Sequence, residues 1–283
     1  MGDYENILYE IDPTNNAICR ITLNRPDKYN AINRQMAEEL IDAFRKVRNV
    51  DSVGVVVLTG AGEKAFCTGG DLDIFPALME HRSAMHWLAH EGLDVQNAVS
   101  ECEKVVIGKI KGHCLAGGLE LALCCDLLYA KKSVKFGFTE INMGILPGWG
   151  GTARLARRIP LMRAKEILFS GRKDYPAGQM YEAGLLTGVF KDEEFEEKFE
   201  AVVLNIATKS PIALRIGKEI MDKSAEGSLD IALALERNSI QWLINSPEVK
   251  AFFAQYKGGQ ASLTKAQKDK NIASDEKRRD NTD

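Results

Sequence analysis

The sequence predicts an α/β fold, because short strand-like runs alternate along the chain with stretches of helical periodicity. Val53–Leu58 is rich in β-branched residues and has the length of a buried strand. Asn33–Val47 instead repeats its apolar residues at the spacing of one helix face. Glycine-rich turns recur between such elements, at residues 60–70, 112–118 and 144–151. This repeated order of strand, turn and helix favours a mixed chain over separate all-α and all-β blocks.

Strands and helices alternate over the first 160 residues. The runs that we predict to be strands are Ile18–Leu23, Val53–Leu58, Val105–Ile110, Asp126–Ala130 and Val134–Phe138. The stretches that we predict to be helical are Asn33–Val47, residues 76–103 and Thr152–Arg158. The helical pattern is clearest in the first of these, where the apolar stripe consists of Met36, Leu40, Ile41, Phe44 and Val47.

From about residue 160 the pattern becomes almost wholly helical. The predicted helices are Leu161–Phe169, Ala177–Ala183, Glu193–Lys209, Ile212–Ser224 and Leu229–Asn245, with a short strand at Thr187–Phe190. Large apolar residues become rare from Lys257 onward. The last stretch, Lys265–Asp283, holds six basic and five acidic residues, which predicts a flexible polar tail.

The composition is typical of a soluble globular protein, with 45% hydrophobic residues, 27% charged residues and a formal net charge of −3. Nucleic-acid and anionic-membrane partners favour a strong basic excess, so we expect neither. No basic n-region opens the chain and no apolar run reaches the ~18 residues that span a bilayer. The six cysteines contain no C-x-x-C pair, which predicts reduced thiols and a cytoplasmic location.

Two glutamates stand out because each lies in an apolar stretch beside a glycine-rich turn. Glu120 lies within Gly117–Cys125, and Glu140 lies within Phe136–Ile141. A buried carboxylate without partners is costly, so it either finds partners or takes up its proton through a raised pKa. Two such carboxyl groups near one pocket are what general acid–base catalysis requires.

Gly70 and Gly117 lie in turns between predicted strands and helices. Glycine lets a main-chain N–H approach a ligand closely, and a helix N-terminus adds unsatisfied donors. Two such N–H groups converging on one carbonyl would form an oxyanion hole, worth about 3–4 kcal/mol per donor. A glycine turn that serves only as a tight turn is the simpler alternative for either position taken alone.

Other chemistries fit the sequence less well. Neither glycine turn matches G-x-G-x-x-G, and the chain has no P-loop and no G-x-S-x-G. His86 and His90 have the spacing of a two-histidine metal pair, but no third ligand is evident, so we expect no metal. A cysteine nucleophile at Cys67 or Cys114 is a minor alternative, since both flank glycine turns. His113 precedes a glycine turn, where it either orients a substrate or packs in the turn.

Several blocks in a fixed order resemble the enoyl-CoA hydratase/isomerase (crotonase) family, over residues 5–257. The matching blocks are Leu23–Ala31, Phe66–Leu72, Gly112–Leu121, Asp126, Phe136–Ile141 and Gly144–Leu155. The resemblance implies a crotonase-like spiral of ββα units over residues 1–200 and a helical trimerisation region over residues 201–260. A flexible polar tail would follow over residues 261–283. The resemblance further implies a homotrimer or a dimer of trimers.

The resemblance also implies the chemistry. The substrate would be an acyl-CoA thioester of fatty-acid metabolism, with its carbonyl held by the N–H groups of Gly70 and Gly117. Glu120 would activate water, Glu140 would protonate the α-carbon, and the N–H of Gly148 would hold the water. The residues by themselves leave open which glutamate is base and which is acid. Retention of both favours hydration, with no metal and no cofactor beyond the coenzyme A of the substrate.

Further residues are implied to bind the substrate or its coenzyme A. They are Arg25, Lys28, Tyr29, Ala31, Ala65, Cys67, Thr68, Asp71, Leu72, Leu115, Trp149, Phe252 and Lys257. Members of the family often have a lysine after the last Ala-Phe that reaches coenzyme A in a neighbouring subunit. Gln255 occupies that place here, and Lys257 is the expected substitute. The stretch Asp73–Trp87 is expected to line the acyl pocket, unless it is a plain core stripe.

Two alternatives to simple enoyl-CoA hydration remain at this stage. The chain could perform another crotonase-type reaction, such as hydration of a cyclic enoyl-CoA or dienoyl-CoA, or isomerisation. It could instead be a crotonase-fold protein whose main role is to bind RNA or a protein partner. The intact glutamate pair and the negative net charge count against that binding role.

Overall fold

The computed structural model describes residues 4–74, 90, 92–247, 249–251 and 253–254. The chain forms two compact units, one ending at Lys218 and the other beginning at Glu219. The predicted acyl-pocket residues from 75 to 87 lie outside the described residues, as do His86, Phe252 and Lys257.

Two sheets form the framework of the first unit. The six-stranded sheet has the order β1-β2-β3-β5-β7-β10, with β1 at Ile7–Ile11, β2 at Ile18–Leu23, β3 at Val55–Gly60, β5 at Val105–Ile110, β7 at Leu127–Lys131 and β10 at Gly188–Phe190. The four-stranded sheet has the order β4-β6-β8-β9, with β4 at Ala65–Cys67, β6 at His113–Leu115, β8 at Lys135–Gly137 and β9 at Tyr175–Pro176. The β1–β2 and β8–β9 pairs are antiparallel, and the other described pairs are parallel.

The chain winds through both sheets in successive turns. Strand β3 leads into β4, β5 into β6 and β7 into β8, so that each turn adds one strand to each sheet. The described helices are α1 Arg34–Arg48, α2 Gly92–Ser100, α3 Gly117–Ala122, α4 Gly151–Arg158, α5 Leu161–Ser170, α6 Ala177–Glu182, α7 Phe195–Ala207, α8 Pro211–Glu226 and α9 Leu229–Ile244. Helices α2, α3 and α4 each follow one strand pair, which confirms the predicted spiral of ββα units.

Strand β3 shows why the central strands are continuous apolar runs. Val56 and Leu58 belong to the main core, whereas Val55 and Val57 face a second cluster that includes Phe199 of α7. Successive side chains of a strand point to opposite faces, so a sheet covered on both faces needs apolar residues at every position. The central strands of the six-stranded sheet are therefore buried on both faces.

Helix α1 forms as its sequence pattern predicts. Asn33 caps its start, because the side-chain Oδ1 accepts a hydrogen bond from the N–H of Met36 at 2.8 Å. Met36, Leu40, Phe44 and Val47 are all buried, so the predicted stripe is the face that packs on the core.

The ends of the predicted strands agree with the structure to within two residues, but four short strands were missed. Strand β1 was not predicted, and neither were β4, β6 and β9, which have three, three and two residues. Strands this short carry no measurable periodicity, so only their partners in the sheet define them. The missed strands β4 and β6 lead directly into the site.

The second unit contains the end of α8 and all of α9. Many large apolar side chains of this unit are exposed: Met221, Leu229, Ile231, Leu233, Ile240, Trp242, Ile244 and Phe253. Within the described ranges, no helix combines the length and the apolar content that a membrane span requires.

Candidate active site

The carboxyl ends of three parallel strands open into one cleft of about 590 Å³. Gly70 follows β4, Gly117 follows β6 and Glu140 follows β8, and all three line the cleft. Ligands of parallel sheets bind outside the carboxyl ends of the strands. The topology thus gathers residues that lie far apart in the sequence.

The main-chain N–H groups of Gly70 and Gly117 border this cleft. A parallel bridge holds the segment around Gly70, since the N–H of Ile32 donates to the carbonyl of Gly69 at 2.8 Å and the N–H of Asp71 donates to that of Ile32 at 3.0 Å. Gly117 is the first residue of α3, where an N–H has no helical partner. No residue in the described part of the chain accepts a hydrogen bond from the N–H of Gly70 or Gly117.

The buried indole of Trp149 packs against both glycines. A Cβ atom on Gly117 would lie 2.7 Å from the ring, and one on Gly70 would lie 3.3 Å from it. A side chain at Gly117 would therefore displace the indole, which explains why this position is glycine. Both residues therefore lie beside the same ring and line the same cleft.

The turn from β6 into α3 is strained at Ala116, with φ 50° and ψ −130°. Its N–H donates to the carbonyl of Gly137 at 2.9 Å. Its own carbonyl accepts hydrogen bonds from the N–H groups of Leu119 and Glu120, at 2.8 and 3.1 Å. These bonds hold the turn in a conformation that directs the first turn of α3 towards the cleft.

Glu120 is 2% exposed and is held by the turn that starts α4. Its Oε1 accepts hydrogen bonds from the N–H groups of Trp149 at 2.8 Å and Gly151 at 2.7 Å. Burial raises the pKa of Glu120, the nearby charge of Glu140 raises it further, and the two amides oppose the rise. The resulting pKa is about 7, so the carboxyl group titrates close to neutral pH.

Glu140 has a different environment. It is 7% exposed and begins the short 3-10 turn Glu140–Met143 after β8. Its Oε2 is buried and has no hydrogen-bond partner among the described residues. Burial raises the pKa of Glu140, which favours the protonated form. The cleft thus holds two carboxyl groups with raised pKa values, of which Glu120 accepts two main-chain hydrogen bonds at Oε1 and Glu140 has a buried Oε2 without a partner among the described residues.

Most of the predicted substrate contacts line the cleft with these groups. Those that do are Lys28, Tyr29, Ala31, Thr68, Asp71, Leu72, Leu115, Trp149 and Gly148. Lys28 stands at the exposed rim, where it pairs with Asp73 at 2.9 Å.

Arg25, Ala65 and Cys67 lie behind the lining of the cleft. Arg25 forms an ion pair with Asp71 at 2.7 Å, and its Nη1 donates to the carbonyl of Ala31 at 2.6 Å. The guanidinium group of Arg25 therefore holds two residues of the lining, Asp71 and Ala31, from outside the cleft.

Asn30 is a supporting residue that the sequence reasoning missed. It is fully buried, and its side-chain Oδ1 accepts from the N–H of Arg25 at 3.0 Å. Its Nδ2 donates to the carbonyls of Ala61 at 3.0 Å and Ala65 at 2.8 Å. A signal was present, because asparagine tolerates the left-handed conformation seen here, with φ 56°. Asn30 joins the loop before α1 to strand β4.

An apolar wall of the cleft also went unassigned. Met143, Ile145 and Leu146 line the cleft and are 52%, 40% and 59% exposed. Exposed apolar side chains grouped in a cleft are typical of a ligand-binding surface. They follow directly after Glu140 in the chain.

The alternative chemistries receive no support from the described residues. Burial raises the pKa of Cys67 to about 12 and that of Cys114 well above its usual range, so neither thiol is an activated nucleophile. His113 is exposed at the amino end of β6, opposite to the end that meets the cleft. The described part of the chain contains no cluster of residues that could hold a metal ion.

Residues 13–269 match the family model described as enoyl-CoA hydratase/isomerase. The chain is 32% identical over 240 residues to the crotonyl-CoA hydratase of Syntrophomonas wolfei, which covers 83% of this chain and 88% of that relative. It is 30% identical over 219 residues to the short-chain-enoyl-CoA hydratase of Clostridium acetobutylicum, covering 77% of this chain and 83% of that relative.

The fold is also similar to that of solved structures. The crystal structure of enoyl-CoA hydratase from Bacillus anthracis superposes with a TM-score of 0.84 at 32% sequence identity. The superposition covers 90% of this chain and 97% of the other.

Proposed function

We propose that this chain, which belongs to the enoyl-CoA hydratase/isomerase family, adds water across the 2,3 double bond of an enoyl-CoA thioester. The observation that carries the proposal is the difference between its two buried carboxyl groups. Glu120 accepts two main-chain hydrogen bonds, whereas Glu140 has a buried oxygen without a partner among the described residues. Addition of water needs one carboxylate and one carboxylic acid at the same double bond.

The thioester carbonyl would lie between the N–H groups of Gly70 and Gly117. Donors aimed at this oxygen withdraw electron density from the β-carbon and stabilise the enolate-like charge that develops there. Both amides lack an acceptor among the described residues and border the cleft, which supports this role.

Glu120 would act as the base that activates water. The hydrogen bonds from Trp149 and Gly151 to Oε1 stabilise its ionised form, and a pKa of about 7 makes it an effective base near neutral pH. The N–H of Gly148, which lines the same cleft, would hold the water.

Glu140 would deliver a proton to the α-carbon. Its raised pKa favours the carboxylic acid, and the residue lines the cleft, where its Oε2 has no partner among the described residues. Glu120 takes a proton from the water as its oxygen bonds to the β-carbon, and Glu140 gives its proton to the α-carbon. After product release, the proton on Glu120 is transferred to Glu140, which restores the starting protonation states of both groups. The reaction needs no redox step, so we propose no metal and no cofactor beyond the coenzyme A of the substrate.

A panel of enoyl-CoA thioesters tests the proposal. Hydration of crotonyl-CoA removes the absorbance of the conjugated thioester and adds the mass of one water, whereas isomerisation leaves the mass unchanged. Glu120→Gln and Glu140→Gln should each lower kcat by at least about 100-fold without loss of the fold. Glu182→Gln, at an exposed surface position, is the matched control. Near-normal turnover in either cleft variant would refute the assignment.

We further propose a homotrimer or a dimer of trimers. The exposed apolar side chains of the second unit, including Ile231, Ile240 and Trp242, support burial against other subunits. Light scattering after size-exclusion chromatography measures the assembly directly, and a monomer at micromolar concentration would refute the trimer.

A cytoplasmic location is supported by six cysteines that are all free thiols.

A further inference from the structure

We propose that Arg154 is a positioning residue that holds the turn Trp149–Gly151 and so keeps Glu120 oriented in the cleft. The inference rests on the proposed hydration, in which Glu120 is the base. It concerns a residue behind the cleft, since Arg154 is half-buried in α4 and is absent from the described lining.

The guanidinium group of Arg154 holds the same residue that holds Glu120. Its Nη1 donates to the carbonyl of Trp149 at 2.9 Å, while the N–H of Trp149 donates to Glu120 Oε1 at 2.8 Å. Any rotation of this backbone segment therefore changes both interactions. The Arg154 main chain adds a third connection, because its N–H donates to the carbonyl of Gly150 at 2.9 Å.

Gly150 allows the guanidinium group to lie over the turn. It has φ 94°, a conformation that residues with a side chain rarely adopt. A Cβ atom on Gly150 would overlap Nη1 of Arg154, so the space is occupied by the arginine. The turn is thus shaped to accept this side chain.

Arg154 also connects the turn to helix α2. Its Nη2 donates to Oδ1 of Asn97 at 3.1 Å, and Asn97 lies in the middle of α2. The planar guanidinium group has a fixed fork of donors, so two bonds in different directions define its orientation. A lysine provides a charge but cannot form the same pair of bonds from a planar group.

The charge of Arg154 acts on Glu120 as well. It lowers the pKa of Glu120, in opposition to burial and to the charge of Glu140. The titratable and charged groups on the elements packed around Glu120 are Cys67, Asp94, His113, Cys114, Cys124, Glu140, Arg154, Arg157 and Arg158. Burial raises the pKa values of these thiols, so they are neutral, and Arg158 is directed to the carbonyl of Cys125 at 2.7 Å.

The test compares Arg154→Met and Arg154→Lys with the matched control Arg158→Met, which removes a cation and one main-chain hydrogen bond from the same helix. We expect Arg154→Met to lower kcat by about 10- to 100-fold with little change in KM, because misplaced groups slow the chemical step. The acid limb of the kcat/KM profile should move to higher pH, by up to about one unit. Arg154→Lys should restore the pH profile more than kcat, and Arg158→Met should change neither.

A normal kcat and an unmoved pH profile in a folded Arg154→Met protein would overturn the inference. So would equal losses in Arg154→Met and Arg158→Met, since that result indicates a general effect on α4. Failure of the wild type to hydrate any thioester would refute the proposed function instead. In that event, carbon-13 NMR of glutamate-labelled protein still tests Arg154, with Glu120→Gln used for assignment. The Glu120 titration should move to higher pH in Arg154→Met, and an unmoved titration would overturn the inference.

Discussion

Replacing Glu120 with glutamine removes a buried charge and keeps an oxygen that can accept the hydrogen bonds from Trp149 and Gly151. The free energy of unfolding should therefore depend differently on pH in the variant and in the wild type. This measurement needs no substrate, so it tests the electrostatics of the site separately from its activity.

The magnitude follows from the pKa of Glu120, which is raised from 4.5 to about 7 in the folded state. The folded protein binds this proton more tightly than the unfolded chain, so stability is fully present below pH 4.5 and is lost as the pH rises through 7. The loss amounts to about 3 kcal/mol above pH 7. Glutamine does not titrate and does not contribute this loss.

The assay is thermal unfolding of both proteins at pH 5 and pH 8, at one protein concentration. The Tm of Glu120→Gln relative to the wild type should be at least about 5 °C higher at pH 8 than at pH 5. Glu182→Gln, an exposed control, should show no such difference. A Tm difference that is independent of pH, or that is larger at pH 5, would refute the reasoning.

Three further predictions concern the surroundings of the site. Glu140→Gln should lower the kcat for crotonyl-CoA by at least about 100-fold while the protein stays folded, and an unchanged kcat contradicts its role as the acid. Gly92→Ala should destabilise the protein by about 1–3 kcal/mol, because its Cβ would overlap the indole of Trp149. Thermal unfolding and indole fluorescence would both report this change, and wild-type values in both would show that the indole is free to move. Asn30→Ala leaves three main-chain groups, one of them fully buried, without their partner, so it should lower stability by about 1–3 kcal/mol and raise KM more than it lowers kcat. Steady-state kinetics and calorimetric titration with coenzyme A measure the second effect, and an unaltered KM would contradict the role assigned to Asn30.

The elements that were predicted well are those whose own residues carry a periodic pattern. Helix α1 has a buried stripe and an asparagine cap, and β5 is a six-residue strand rich in β-branched side chains. Such an element can be predicted from its own residues, because the spacing of its apolar residues distinguishes a helix from a strand before any packing partner is known. Strands β4 and β6 lack this signal and exist through their pairing with each other and with β8.

The residues of the candidate site likewise divide into those that the local sequence reveals and those that only the fold reveals. The sequence identifies Glu120 and Glu140, because a carboxyl group in an apolar stretch is conspicuous in any fold. It also identifies Gly70 and Gly117 through the family resemblance. It does not identify Arg154 or Asn30, because their side chains act through hydrogen bonds to main-chain groups that the fold brings to them.

The sequence by itself determined the α/β class, most of the strands and helices, and the two acidic residues of the cleft. Only the tertiary structure decided that Glu120 is held by amides 29 and 31 residues away, that Oε2 of Glu140 has no partner among the described residues, and that Arg25 braces the lining from behind. The reason is physical. A residue type and its local pattern establish whether a group is polar and buried, but its charge state depends on the donors that the fold brings to it.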